Sequence, residues 1–183
     1  MLALRGDATL FDESLAYEEA AREALRSYEP AVKLVEGGCE VPRRTEYYLW
    51  MGEAYAALRL HEPERAFSAL TKAERKWPNS AEVHYNLARV RCGRLGKFGK
   101  NRADVAHDSN KRELDECVRE FELALEFAES PTRPLFFRTH RSAEDWIVRS
   151  ETQSELGPLR SDPRYARIIA AARARAALPS SGG

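Results

Sequence analysis

TEYYLWMGEAYAALRLHEPERAFSALTKAERKWP, from Thr45 to Pro78, carries two helical patterns one after the other. In the first, Tyr48, Met51, Gly52 and Tyr55 fall at i, i+3, i+4 and i+7, a single helical face. In the second, Ala66, Leu70 and Ala73 fall at i, i+4 and i+7 with Phe67 beside them, and Pro78 stops the helix. Gly52 and Ala66 lack bulk where two antiparallel helices would approach closely, while Tyr48, Tyr55 and Leu70 fill the space around them. A glycine inside a helix costs roughly 1 kcal/mol relative to alanine, so Gly52 implies a packing reason.

That order of residue types resembles the tetratricopeptide repeat, a helical hairpin with a period of about 34 residues and a pattern of L-G-x2-Y, then A-x3-F, then P. Two positions depart from it: Tyr48 stands for the usual Trp and Leu70 for the Phe. The resemblance implies an all-α fold, a right-handed solenoid of helical hairpins, acting as a binding scaffold and not as an enzyme.

Working outward, a second copy spans 81–128. Ser80 is placed to cap its first helix, and His84, Leu87, Ala88 and Arg91 stand where Tyr48, Met51, Gly52 and Tyr55 stood. Its second helix is expected over 111–128, with Cys117, Phe121 and Ala124 in the places of Ala66, Leu70 and Ala73. Asn110 and Glu113 form a capping-box-like start. Between the two helices lies 96–109, far longer than a helical hairpin needs, which reads as an inserted surface loop. Upstream, 12–38 reads as a degenerate repeat, with one helix from Asp12 to Arg26 and a second opened by Pro30 and stopped by Gly37 and Gly38. An alternative register makes YEEAAREAL the second helix and leaves about ten residues in a loop.

The C-terminal part, 142–178, is punctuated as capping helices. Ser142 with Asp145 starts a helix that buries Trp146 and Ile147. Pro163 then opens another behind Ser161 and Asp162, with Tyr165, Ile168, Ile169 and Ala172 on one face. The segment from Leu156 to Ile169 resembles the terminal segment of many bacterial tetratricopeptide arrays, some attached to signalling proteins; the resemblance implies a cap that closes a stack. Residues 179–183 read as a flexible tail.

Composition narrows the function classes. The chain has 183 residues, 43% apolar and 32% charged, enough for one continuous helical domain over 1–178. No apolar run approaches the roughly 18 residues needed to span a membrane, and the first residues lack the basic start and apolar block of a secretory signal. Cys39, Cys92 and Cys117 are odd in number and widely spaced, which points to free thiols in a reducing compartment, and so to the cytoplasm. No P-loop, dinucleotide turn or zinc motif is present, and His61, His84, His107 and His140 never pair at ligand spacing. The reading therefore has no catalytic residues, no metal and no cofactor. His84 reads as a core side chain and Cys117 as a small buried thiol.

Net charge is zero but uneven along the chain. Eight basic residues lie between Arg89 and Arg112, whereas Glu113 to Glu129 contains seven acids and one arginine. Solvated surface is the plain account of such runs. The alternative is a nucleic-acid-associated protein using the basic segment 89–112, though few aromatics interleave with it. In the resembled family the first helices of successive repeats line a concave groove. That implies a partner-binding surface at Glu46, Leu49, Trp50 and Glu53 in one repeat and Glu82, Tyr85, Asn86 and Arg89 in the next. Trp50 has a second reading, as a residue packed on the N-terminal unit. The expected partner is a peptide or protein, with nucleic acid and membrane disfavoured, and the expected role is a non-enzymatic adaptor in a bacterial-type cytoplasm.

Overall fold

A computed structural model describes residues 17–98, 108–128 and 142–177. Among these there are eight α-helices and no strand. The chain divides into two compact units, Met1–Lys76 and Trp77–Gly183.

The first unit contains α1 (Tyr17–Glu36), α2 (Arg43–Arg59) and α3 (Pro63–Lys76). The expected break within 12–38 does not occur: α1 is one helix with Pro30 inside it. A mid-helix proline costs about 3 kcal/mol through the missing N–H and its clash with the preceding turn. The buried face of Ala21, Ala24, Leu25, Tyr28 and Val32, packed on α2, offsets that cost. Residues 12–16 lie outside the described residues.

Two helix ends are built the same way. After α1, the Cys39 N–H donates to Leu34 O at 2.9 Å and the Gly38 N–H to Val35 O at 3.1 Å, with Gly38 at φ 90°. After α2, the Glu62 N–H donates to Ala57 O at 2.9 Å and the His61 N–H to Leu58 O at 3.1 Å, with His61 at φ 57°. Both are Schellman ends, the second placing a histidine where glycine is the usual left-handed residue. Pro63 then opens α3, so the turn is pinned on both sides.

Helix α2 packs on both α1 and α3. Ala66, Ala69, Leu70 and Ala73 of α3 are buried at the expected helical spacing. Gly52 is buried as expected, but the atoms nearest to it belong to Tyr28 of α1. A Cβ built there would lie 2.7 Å from Tyr28 Oη and closer still to its ring. Gly52→Leu is therefore expected to cost about 1–3 kcal/mol by overpacking, read as a lower urea midpoint. Trimming the ring in a Gly52→Leu/Tyr28→Ala double variant should cost less than the sum of the two single changes. Additive losses would place the clash elsewhere.

The second unit contains α4 (Ala81–Phe98), α5 (Asp108–Ala128), α6 (Ala143–Thr152), a 3₁₀ turn (Ser154–Leu156), α7 (Gly157–Arg160) and α8 (Pro163–Ala176). Helix α5 starts at Asp108, earlier than the expected Lys111, and α4 runs on to Phe98. The expected insertion 96–109 is therefore helical at both its ends, and its centre, 99–107, lies outside the described residues. Helices α4 and α5 form the main hairpin, with Ala88, Cys92, Cys117, Phe121 and Ala124 in its core.

The reading of free thiols is corrected here. Cys92 and Cys117 form a disulfide with Cα atoms 5.9 Å apart, and Cys39 alone is free. Positions 25 residues apart in sequence meet because the two helices run side by side. Replacing both cysteines by alanine removes that constraint on the unfolded chain. An expected loss of about 3 kcal/mol follows from a closed loop of this length. An unchanged urea midpoint would show that the bond contributes nothing to stability.

The C-terminal capping signals form as expected. Ser142 and Asp145 make a reciprocal capping box: Ser142 Oγ accepts from the Asp145 N–H at 3.2 Å, and the Ser142 N–H donates to Asp145 Oδ2 at 2.8 Å. Arg160 Nη1 donates to the carbonyls of Ser150 and Gln153, both at 2.7 Å, and so closes the end of α6. Asp162 caps α8 by accepting from the Arg164 N–H at 2.8 Å. Hydrogen bonds from Arg164 hold the Asp162 carboxyl below its usual range. Trp146, Ile147, Ile168, Ile169 and Ala172 are buried, so the prolines, arginines and aspartate of this segment serve architecture.

Candidate partner-binding surfaces

Six of the eight residues expected in the groove are buried: Glu46, Leu49, Trp50, Glu53, Tyr85 and Asn86. Glu82 and Arg89 are half-buried. The expected line of outward-facing side chains is corrected accordingly, and the cause differs between the two units.

In the first unit, α2 lies between two helices, so the face opposite Gly52 is covered as well. Glu46 pairs with Lys76, and Arg65 Nε donates to Glu53 Oε1 at 3.0 Å. Both basic partners lie on α3, so the two carboxylates clamp α2 to α3. Trp50 is 4% exposed, and the Lys72 ammonium lies 4.8 Å from its ring centroid. Trp50 is thus buried, and the side chain over its ring belongs to α3 and not to the N-terminal helix on which its second reading placed it.

In the second unit, the C-terminal segment folds onto α4. The Tyr85 ring lies against Trp146 with centroids 4.5 Å apart, Asn86 Nδ2 donates to Glu82 O at 2.8 Å, and Arg89 bridges Asn86 Oδ1 at 3.0 Å and Glu155 Oε1 at 2.8 Å. Burial works to raise the Glu155 carboxyl, but the Arg89 guanidinium and accompanying hydrogen bonds hold it below its ordinary value. Burial pushes the Tyr85 hydroxyl up to about 12, against a smaller opposing pull from Arg89 and Arg149. That hydroxyl has no protein partner among the described residues. Tyr85→Phe is expected to leave stability unchanged or raise it by up to about 1 kcal/mol, because no hydrogen bond is lost and a buried polar atom is removed. A loss above about 1 kcal/mol in a urea titration would show that the hydroxyl is satisfied after all.

His84 is a core residue, as expected, but its polar partners were not legible in sequence. Its Nδ1 lies 2.6 Å from Glu120 Oε2 on α5, and its Nε2 lies 2.6 Å from Pro78 O. Side chains of His84 and Glu120 are 3% and 5% exposed, so the ring is bonded at both nitrogens inside the fold. The basic segment is likewise engaged in part: Arg91 and Arg94 each donate to one oxygen of Glu113, at 3.1 and 3.3 Å.

A cleft that the sequence reading passed over lies in the first unit. One wall is a stripe of α1, with Glu18, Arg22, Leu25, Arg26 and Glu29 spaced as one helical face. The other is formed by Leu60 and Glu62 of the α2–α3 turn and Arg65 of α3. It encloses about 330 Å³ and is open to solvent. The signal for it was present: charged residues occupy α1 where the resembled repeat prefers apolar or small ones.

No family model, curated protein or solved structure matches the chain. No described helix is long and apolar enough to cross a membrane.

Proposed function

We propose that this protein is a non-enzymatic protein-interaction adaptor built from tetratricopeptide-like helical hairpins, and that its partner is a peptide or protein segment. The observation that carries this reading is the shared construction of two hairpins. In α2/α3, Ala66, Leu70 and Ala73 of the second helix are buried, and in α4/α5, Cys117, Phe121 and Ala124 of the second helix are buried at the same spacing. Small residues at helix contacts suit a rigid scaffold that presents its outer faces. The rival reading, nucleic-acid association through 89–112, is disfavoured because Arg89, Arg91 and Arg94 are held by Glu155 and Glu113. Guanidiniums already paired have less to gain from phosphates.

Affinity capture with the intact chain at about 50 and about 200 mM salt separates the two. The adaptor reading expects a protein partner retained at both. Retention of nucleic acid alone, collapsing by orders of magnitude between the two salts, would reverse the assignment.

A further inference from the structure

We infer that the cleft between α1 and the α2–α3 turn is a docking site for a short extended peptide segment carrying one acidic side chain, one basic side chain and a small aliphatic side chain between them. This deepens the adaptor reading and rests on it.

The charges around the cleft are not equally available. Arg22 donates to Glu18 at 2.6 Å, and Arg65 is engaged by Glu53 at 3.0 Å with Glu29 at 3.8 Å. Glu29 also pairs with Lys33 at 3.1 Å; hydrogen bonding and attraction from Lys33, then Arg65, lower its carboxyl below the ordinary range. Two groups are left with capacity. Arg26 reaches Glu23 only at 3.5 Å, with its side chain 77% exposed. Glu62 is exposed and makes no ion pair among the described residues. They stand on opposite walls, a cation on α1 and an anion on the turn.

That arrangement selects against ligands of one sign. An anionic lipid surface or a nucleic acid would meet Arg26 but be opposed by Glu18, Glu29 and Glu62. A purely basic segment would meet Glu62 but be opposed by the three arginines. A segment with both charges satisfies both walls, its acid toward Arg26 and its base toward Glu62. Leu25, 6% exposed, and half-buried Leu60 supply apolar surface for an aliphatic side chain. The volume, about 330 Å³, is at the small end for a ligand site, which suits a few side chains and not a folded domain. Glu62 is also preorganised: its N–H is tied to Ala57 O, His61 before it is held at φ 57°, and Pro63 follows. A carboxylate on so stiff a turn loses little freedom on binding.

The test titrates the isotope-labelled intact chain with two capped pentapeptides, Asp-Ala-Leu-Ala-Lys and its reverse, Lys-Ala-Leu-Ala-Asp, to about 1 mM, with Ser-Ala-Leu-Ala-Ser as control. The expected result is a shift of the Leu25 and Leu60 methyl signals by at least one charged peptide and not by the control. Arg26→Glu and Glu62→Lys should each weaken that binding by about tenfold without changing the melting temperature, since both side chains are exposed. The double charge exchange, Arg26→Glu with Glu62→Lys, should restore binding and favour the peptide of opposite order. Shifts confined to other residues would overturn the cleft assignment and leave the adaptor reading standing. The same holds if neither peptide shifts any signal while the intact chain still captures a protein partner. Absence of both peptide shifts and partner capture would overturn both.

Discussion

Replacing Trp50 with alanine is expected to cost about 3–5 kcal/mol of folding stability, the range for truncating a large buried aromatic. The side chain is 4% exposed, sits beneath the Lys72 ammonium, and directs Nε1 toward Glu46 Oε1 at 3.5 Å. Deleting it opens a cavity beside α2 and removes the ring on which Lys72 rests. Urea unfolding followed by circular dichroism measures the loss directly. A variant that melts like the parent yet loses partner binding would return Trp50 to the groove and undo the burial argument. That makes it the most direct discrimination between the two roles open to this residue.

Truncating Glu120 to alanine should be equally damaging, at about 3–5 kcal/mol, for a different reason. His84 lies 2.6 Å from this carboxylate on one side and 2.6 Å from Pro78 O on the other, with both side chains almost fully buried. Removing the acid takes a charge-assisted contact from a buried ring nitrogen. The cost is the desolvation of what remains with that contact gone, more than the intrinsic worth of the pair. Replacing both residues with apolar side chains, as His84→Phe/Glu120→Leu, should recover much of the loss. A double variant no better than Glu120→Ala alone would show that local packing, and not the lost polar contact, sets the cost.

Both results bear on how the molecule works. If Trp50, Tyr85, Glu46 and Glu53 hold helices together, the proposed partner binding has to use side chains that the fold leaves exposed. Arg26 and Glu62 meet that condition, and they lie on a helix stripe and a pinned turn whose backbones are already ordered. A peptide would then dock on a scaffold needing little rearrangement, so most of the binding energy would not be spent on ordering the site.

What was legible in the sequence was local or periodic. The two helices of 45–78, the Ser142–Asp145 capping box, Pro163 behind Asp162, and the face Tyr165, Ile168, Ile169 and Ala172 each depend on residues within one or two turns of one another, and each forms. The inward face read for the first of those helices is corrected in part: Met51 and Gly52 are buried, but Tyr48 and Tyr55 are only half-buried, because the helix is covered on other sides as well. The burial of Ala88, Phe121 and Ala124 followed from the same pattern. Other features depend on which helix lies beside which, and one-dimensional spacing carries no record of that. Pro30 looked like a helix start because its local cost is large; packing of α1 on α2 outweighs it. Cys92 and Cys117 looked independent because 25 residues separate them, yet the α4/α5 hairpin brings their Cα atoms to 5.9 Å. Trp50 and Tyr85 fell outside one predicted contact face, but helices α2 and α4 each have neighbours on more than one side, so a second contact buries what the first leaves free. Periodicity tells which residues share a face; only tertiary structure decides how many faces are covered, and therefore which residues remain to meet a partner.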